Sequence, residues 1–304
     1  MELAMIGLGK MGLNMATRLV RGGHRVVGYA RTPATVAEAE TFGIEGAHSL
    51  EEAVGKLKQS PRVVWVMVPS GATTTDTIEK VAAMLGKGDI IVDGGNSNYK
   101  DTLKHAEMLE AKGIDFVDSG TSGGVWGITE GYSLMIGGKP EVTEKLRPIF
   151  ETLAPGADKG WGRVGPHGAG HYVKMVHNGI EYGMMQALAE GFSVMKQAPF
   201  DLDLAKIADL YDHRSVIESR LVGWLKNAFV RYGDGLEGIS GSAAQSGEGL
   251  WTVEAAKELG VPVPVIEAAL KFRTASQKDP RYPGRIISAL RNQFGGHEAG
   301  EQKR

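Results

Sequence analysis

The stretch MIGLGKMG, residues 5 to 12, constrains this chain more than any other. It sets Gly7, Gly9 and Gly12 in the spacing G-x-G-x-x-G, between the β-rich run LAMIG and a helical pattern over residues 10 to 22. Each glycine has a physical role. The first permits a tight strand-to-helix turn, the second lets the backbone approach a pyrophosphate, and the third allows close helix packing, while the helix N-terminus faces the anion. In that context the spacing predicts a dinucleotide site, and Leu8, Lys10 and Met11 in the loop and Val68 at the end of a later strand are assigned to it as well. A turn that is merely rich in glycine is the plain alternative.

Cofactor preference follows from the next strand. An NAD site places an acid there, roughly 20 residues on, to accept hydrogen bonds from the ribose 2'-OH. Here RVVGYARTP has Ala30 at that point, followed by Arg31 and Thr32. A cation and a hydroxyl suit a 2'-phosphate, so NADP is the expected cofactor and NAD the second choice. An arginine in a solvated turn would look the same.

Up to about residue 165, short β-rich runs (LAMIG, RVVGY, RVVWVMV, DIIVDGG, IDFVDS, YSLMIGG) alternate with helical stretches at 10 to 22, 72 to 85 and 101 to 113. Such alternation predicts an α/β Rossmann-type N-terminal domain, a mostly parallel doubly wound sheet with helices on both faces. After GRVGPHGAGH the strand signals stop and long helical patterns take over. The expected division is therefore a dinucleotide-binding domain over 1–167 and an all-α domain with a C-terminal tail over 168–304. A Gly/Ser-rich loop, EGISGSAAQSGEG, interrupts the second part and is long enough to be functional.

Composition narrows the partners. A formal charge of −2 over 304 residues, with no long basic run, gives no electrostatic reason to expect nucleic acid or an anionic membrane. No apolar run approaches the roughly 20 residues of a membrane span, and no secretory leader pattern opens the chain. Absence of cysteine removes disulfides, thiolate nucleophiles and thiolate metal sites, which is compatible with a reducing compartment. A cytoplasmic protein acting on a small molecule is the expectation.

Within HYVKMVHNGIEYGMMQ, residues 171 to 186, Lys174, His177, Asn178 and Glu181 stand at i, i+3, i+4 and i+7. At about 100° per residue they form one helical stripe, while Val173, Val176, Ile180, Met184 and Ala187 form another. A solvated face would carry an interchangeable mixture of long charged residues; one Lys, one His, one Asn and one Glu have the composition of a site. Both readings stand on this stretch alone. Two further segments, DGGNSNY and SGTSGG, follow strands whose carboxyl ends are where ligands bind in open α/β sheets. Asn96 could orient a cofactor amide or a substrate hydroxyl, and Ser122 with the N–H groups of Gly123 and Gly124 could hold an anion. Ordinary turn chemistry uses the same residues.

Taken together, GLGKMG, DGGNSNY, SGTSGG and GAGHYVKMVHNGIEYGMMQ resemble the decarboxylating 6-phosphogluconate dehydrogenases, densely up to about residue 195 and again in GLWTV and LRNQFGGH. The chain is similar to the short branch of that family. The resemblance implies oxidation of 6-phosphogluconate at C3 with NADP or NAD, loss of CO2 and release of ribulose 5-phosphate without a metal. It implies Lys174 as the base that takes the C3 hydroxyl proton, and Glu181 as the acid that protonates C1 of the enediol. His177, Asn178 and Tyr182 are implied in substrate binding, with Asn96, Ser122, Gly123 and Gly124 around the nicotinamide and the carboxylate end. Arg291 and His297 match residues that a neighbouring subunit contributes to the phosphate end, implying a homo-oligomer, at least a dimer, with shared sites. His177 with Glu181 at i, i+4 could imitate a metal pair, but no third ligand occupies the stripe and the family uses no ion.

Departures bear on the substrate. Where the family holds phosphate with a lysine, a threonine and an arginine, this sequence aligns Ser246, Glu248 and Glu218, with Arg220 two places on as a substitute. A smaller or unphosphorylated β-hydroxyacid, as in the 3-hydroxyisobutyrate dehydrogenases, is the second expectation. A cofactor-binding regulator without turnover is the third, although a binder has no chemical need for Lys174 and Glu181.

Overall fold

The computed structural model describes residues 1–296 and Gly300. Its first unit is built on an eight-stranded sheet ordered β3-β2-β1-β4-β5-β6-β7-β8, parallel throughout except where β6 and β7 pair antiparallel. The strands are β1 (Glu2–Ile6), β2 (Arg25–Tyr29), β3 (Glu45–Ala47), β4 (Val63–Val66), β5 (Ile90–Asp93), β6 (Asp115–Ser122), β7 (Ser133–Gly138) and β8 (Trp161–Gly165). Between them run α1 (Lys10–Arg21), α2 (Pro33–Glu40), α3 (Leu50–Gly55), α4 (Ala72–Ala82), α5 (Tyr99–Ala111), α6 (Gly127–Glu130), α7 (Pro140–Lys145) and α8 (Arg147–Leu153). The expected doubly wound α/β architecture is the one observed.

Central strands β1, β4 and β5 are buried at every residue. That is why they read as unbroken apolar runs instead of alternating ones: helices cover both faces of a parallel sheet. Successive side chains still go to opposite sides. Leu3, Met5, Trp65 and Val92 join one core with Phe150, while Ala4, Ile6, Val64, Val66 and Ile91 join the other with Phe116.

The helical elements are α9 (Ala169–Lys196), α10 (Leu204–Tyr211), α11 (Arg220–Tyr232), α12 (Glu248–Glu258), α13 (Pro264–Ser276) and α14 (Tyr282–Gly295). The second unit has its own core, in which Met185 and Phe192 of α9 meet Leu225 and Phe229 of α11 and Ile286 and Leu290 of α14. The chain parts into its two compact units between Met175 and Val176. That point lies inside α9, ten residues beyond the end of β8 at Gly165, because α9 begins against the sheet and continues as a helix of the second unit. No helix among the described residues is long and apolar enough to cross a membrane.

Candidate active site and cofactor cavity

Gly7, Gly9 and Gly12 differ in what surrounds them. Gly7 has φ +102°, a backbone that side chains rarely adopt, and a Cβ there would run into Met67 O. A Cβ on Gly12 would strike Gly7 O, so α1 can start this close to the turn only with glycine there. Gly9 is the N-cap of α1, and a Cβ on it would meet nothing within 4 Å. That is the cradle expected where a ligand, not the protein, needs the space. No side chain caps α1 and no acid stands in its first turn, so its first N–H groups remain suited to an anion.

A cavity of about 560 Å³ opens there, lined by Gly7, Leu8 and Gly9, by Arg31 and Thr32, and by Val68. Its lining does not include Lys10, Met11, Gly12 or Asn96. The lining also takes in Thr73, Asp76, Thr77 and Lys80 of α4, none of which was singled out from the sequence.

In the same unit, Asn96 takes a left-handed backbone with φ 51°. Its amide donates to Thr121 O at 3.1 Å and accepts from Thr121 N at 2.9 Å. The side chain therefore clips the end of β5 to β6, a structural duty beside any ligand contact. Asp118, fully buried on β6, accepts from Gly168 N at 2.8 Å and His171 N at 2.9 Å. It thus satisfies N–H groups at the start of α9 that would otherwise lack partners. Glycines make the approach close: a Cβ on Gly170 would lie 2.7 Å from Asp118 O, and one on Gly120 would lie 2.5 Å from the Lys174 Cβ. Lys174 is held against the strand and is only 5% exposed.

Burial settles which stripe of α9 faces inward. Lys174 is buried, and His177, Asn178 and Glu181 are half-buried, whereas Val173, Ile180 and Met184 are 38%, 53% and 43% exposed. The polar stripe is not a solvated face. In the second unit, His177 Nδ1 lies 2.9 Å from Asn178 Oδ1 and 3.8 Å from Glu181 Oε2. Among the described residues there is no group of three or more His, Asp or Glu that could hold a metal ion.

Tyr182, 3% exposed, accepts a hydrogen bond from Ser246 N at 3.3 Å. Over its ring, 3.4 Å from the centroid, lies the guanidinium of Arg273 on α13, itself 2% exposed. Arg273 donates to Ala244 O and Met185 Sδ, and among the described residues it has no carboxylate in salt-bridge contact. Burial, with the repulsion of Arg291, brings its pKa down to about 10, still well above neutrality. Arg291 is lowered too, by burial, against the pull of Tyr182, Glu181 and Glu248, which lie in electrostatic range in the same chain. Arg273 is thus a buried guanidinium, and Arg291 a half-buried one, with Glu181 in electrostatic range of both.

Neither Glu218 nor Arg220, the positions that the sequence offered for a phosphate arginine, stands at this cluster. Glu218 is exposed and accepts from Arg214 N at 2.9 Å, and Arg220 stacks on Trp224 at 4.9 Å. The available signal was an arginine within EAALKFRTAS, on a helix whose buried side it shares with Ala269 and Ser276. Ser246 contributes its N–H to Tyr182, and Glu248 stands in the first turn of α12 with a buried Oε2 that has no hydrogen-bond partner among the described residues. His297 lies outside the described residues.

Comparison with known proteins gives this arrangement a family. Residues 2–163 match the NAD binding domain of 6-phosphogluconate dehydrogenase, and residues 170–282 match the C-terminal domain of 6-phosphogluconate dehydrogenase. The chain belongs to the 6-phosphogluconate dehydrogenase family. YqeC of Bacillus subtilis is 42% identical over 98% of each chain. The NAD(+)-dependent, decarboxylating 6-phosphogluconate dehydrogenase of Haloferax volcanii is 40% identical, again over 98% of each chain. Among solved structures, Plasmodium falciparum 6-phosphogluconate dehydrogenase superposes with a TM-score of 0.82 at 29% identity, over 92% of this chain and 62% of that one. A Salmonella typhimurium 3-hydroxyisobutyrate dehydrogenase shares the fold, with a TM-score of 0.78 at 23% identity over 94% of this chain and 98% of that one. The chain is thus an NAD(P)-binding, 6-phosphogluconate dehydrogenase-like oxidoreductase.

Proposed function

We propose that this protein oxidises 6-phosphogluconate at C3, with NADP as the favoured cofactor, and decarboxylates the product to ribulose 5-phosphate. The observation that carries the reading is the inward-facing polar stripe of α9, with Lys174 only 5% exposed. An amine held in place beside β6 is positioned to act as a general base. In this reading Lys174 takes the C3 hydroxyl proton. As an ammonium it then polarises the new keto oxygen while the carboxylate departs, and Glu181 delivers a proton to C1 of the enediol. The nicotinamide, when bound, accepts the hydride. His177, Asn178 and Asn96 orient hydroxyls, and Ser122, Gly123 and Gly124 meet the carboxylate end. Arg273, Arg291 and Tyr182 hold the phosphate, a role supported by the burial of the Arg273 guanidinium on the Tyr182 ring with no carboxylate in salt-bridge contact among the described residues.

A second reading is kept because Glu248, an acid, lies in electrostatic range of Arg291. A smaller or unphosphorylated β-hydroxyacid would need less positive charge there. One matrix decides: absorbance at 340 nm with NADP or NAD against 6-phosphogluconate, gluconate and 3-hydroxyisobutyrate. Turnover confined to 6-phosphogluconate with CO2 release supports the proposal, and turnover of an unphosphorylated acid replaces it. Nucleotide binding with no turnover on any acid favours a regulator.

The protein is further proposed to act in the cytoplasm as a homo-oligomer, at least a dimer, with shared sites. The exposed apolar stripe of α9, Val173, Ile180, Met184 and Val194, supports association. Arg291 already lies in electrostatic range of Glu181 within one chain, so sharing is decided by mixing Lys174→Met with Arg291→Ala. Partial recovery of activity after verified subunit exchange supports shared sites. No recovery returns Arg291 to its own chain.

A further inference from the structure

Arg31 and Thr32 supply only one wall of the nucleotide cavity. Helix α4 brings Lys80 and Asp76 to the same space, four residues apart on one helical face. We propose that Lys80 is a second cation for the cofactor's 2'-phosphate and that Asp76 opposes it, so that this pair on α4, together with Arg31, sets the choice between NADP and NAD. The inference rests on the cofactor reading above and deepens it.

Three observations lead there. First, Lys80 and Arg31 line one cavity of about 560 Å³, a space small enough that charges along its lining act within a Debye length of about 10 Å. Second, Ala30 also lines it, so no acid occupies the usual ribose position at the end of β2, while Asp76 brings a carboxylate in from another element. A carboxylate can accept from a ribose 2'-OH but repels a 2'-phosphate. Third, Lys80 is in electrostatic range of a further acid, Glu51. The Glu51 carboxyl is held below its ordinary value chiefly by hydrogen bonds from its own N–H and Ser49, and also by the Lys80 charge. Lys80 thus stands among Asp76, Glu51 and the cavity. The choice it makes depends on what occupies that cavity: with a 2'-phosphate present, the ammonium has a doubly charged partner, and with a 2'-OH it returns to the two carboxylates.

The ordinary alternative is a lysine paired with Asp76 and Glu51 on a solvated helix face, indifferent to the nucleotide. Titration of the whole protein with NADP and with NAD, followed by intrinsic fluorescence or calorimetry, separates the two. Lys80→Met should weaken NADP by roughly three- to tenfold, as for an exposed charge on phosphate, and leave NAD within about twofold. Asp76→Asn should act in the opposite sense, tightening NADP by a factor of about two to five and leaving NAD unchanged or weaker. Raising the ionic strength should shrink both effects. Changes of equal size for both nucleotides, or an Asp76→Asn variant that weakens NADP, overturn the inference. Misfolding does not imitate the expected pattern, because the two variants must move the same constant in opposite directions. If the parent protein binds neither nucleotide, the cofactor reading falls and takes this inference with it. If the parent binds both and only the variants disappoint, the fault lies with α4 alone.

Discussion

The nucleotide cavity and the polar face of α9 are built on different principles. Around the cavity the backbone does most of the work: a turn with positive φ at Gly7, a close approach at Gly12 and uncapped N–H groups at the start of α1. On α9 the chemistry belongs to side chains, each placed by contacts far away in sequence. Lys174 rests against Gly120, Tyr182 receives Ser246 N, and Arg273 arrives from α13 to lie on the Tyr182 ring. A backbone site fails when a Cβ is added, whereas a side-chain site fails when one functional group is removed. Mutations can therefore tell the two apart.

The largest effect expected is from Lys174→Met, which keeps length and removes the basic nitrogen. Hydride transfer should fall at least about 10²-fold while NADP affinity stays near parental, since general base catalysis is worth that much. Near-normal turnover, measured under saturating conditions, would break the assignment of the buried stripe. Next comes Arg273→Ala, which should raise KM for the phosphorylated acid by roughly 10- to 100-fold, the weight of a charge-assisted contact, with NADP binding unmoved. An unchanged KM in a variant of parental melting temperature would remove Arg273 from the phosphate end. Arg31→Ala should show the reverse pattern, weakening NADP by roughly tenfold more than NAD and sparing KM for the acid. Glu181→Gln sharpens the comparison within the side-chain site. Oxidation should persist in part while product formation slows, seen as a keto acid intermediate that can be trapped by borohydride. If CO2 and product appear at the parental rate, Glu181 is not the acid.

These two regions also differ in how much the sequence told. Glycine spacing is local, so Gly7, Gly9 and Gly12, and with them the first βαβ unit, were legible in eight residues. Six of the eight strands showed as apolar runs because they are buried on one or both faces. The two that did not, β3 and β8, are the sheet's edges. β3 has only three residues and β8 has no fully buried one, so neither carries a run to read. Periodicity separated the two stripes of α9 but could not say which faced inward. Orientation depends on what packs there, and the apolar stripe proved to be the exposed one. Arg273, placed at the phosphate end only in the proposed reading, was not singled out, and for a related reason. Its neighbours in sequence are apolar helix residues, and its partners Tyr182 and Arg291 are 91 and 18 positions away. The α4 part of the cavity lining escaped likewise, because nothing in ATTTDTIEKVA announces that Asp76 and Lys80 will line one cavity with Arg31.

Gly9 leaves the fold in an unusual position. Its φ of −66° and ψ of −179° suit alanine as well as glycine, and there is room for a methyl group. Replacing a glycine at such a place narrows the unfolded ensemble and raises stability by about 0.4–1 kcal/mol. The empty protein would therefore melt slightly higher as Gly9→Ala, and only a nucleotide arriving at the loop would notice the change. A selection scheme that rewards heat resistance alone would drift toward that variant and lose the enzyme, while one that heats in the presence of NADP would keep the glycine. The residue thus records a trade between holding together and holding something else.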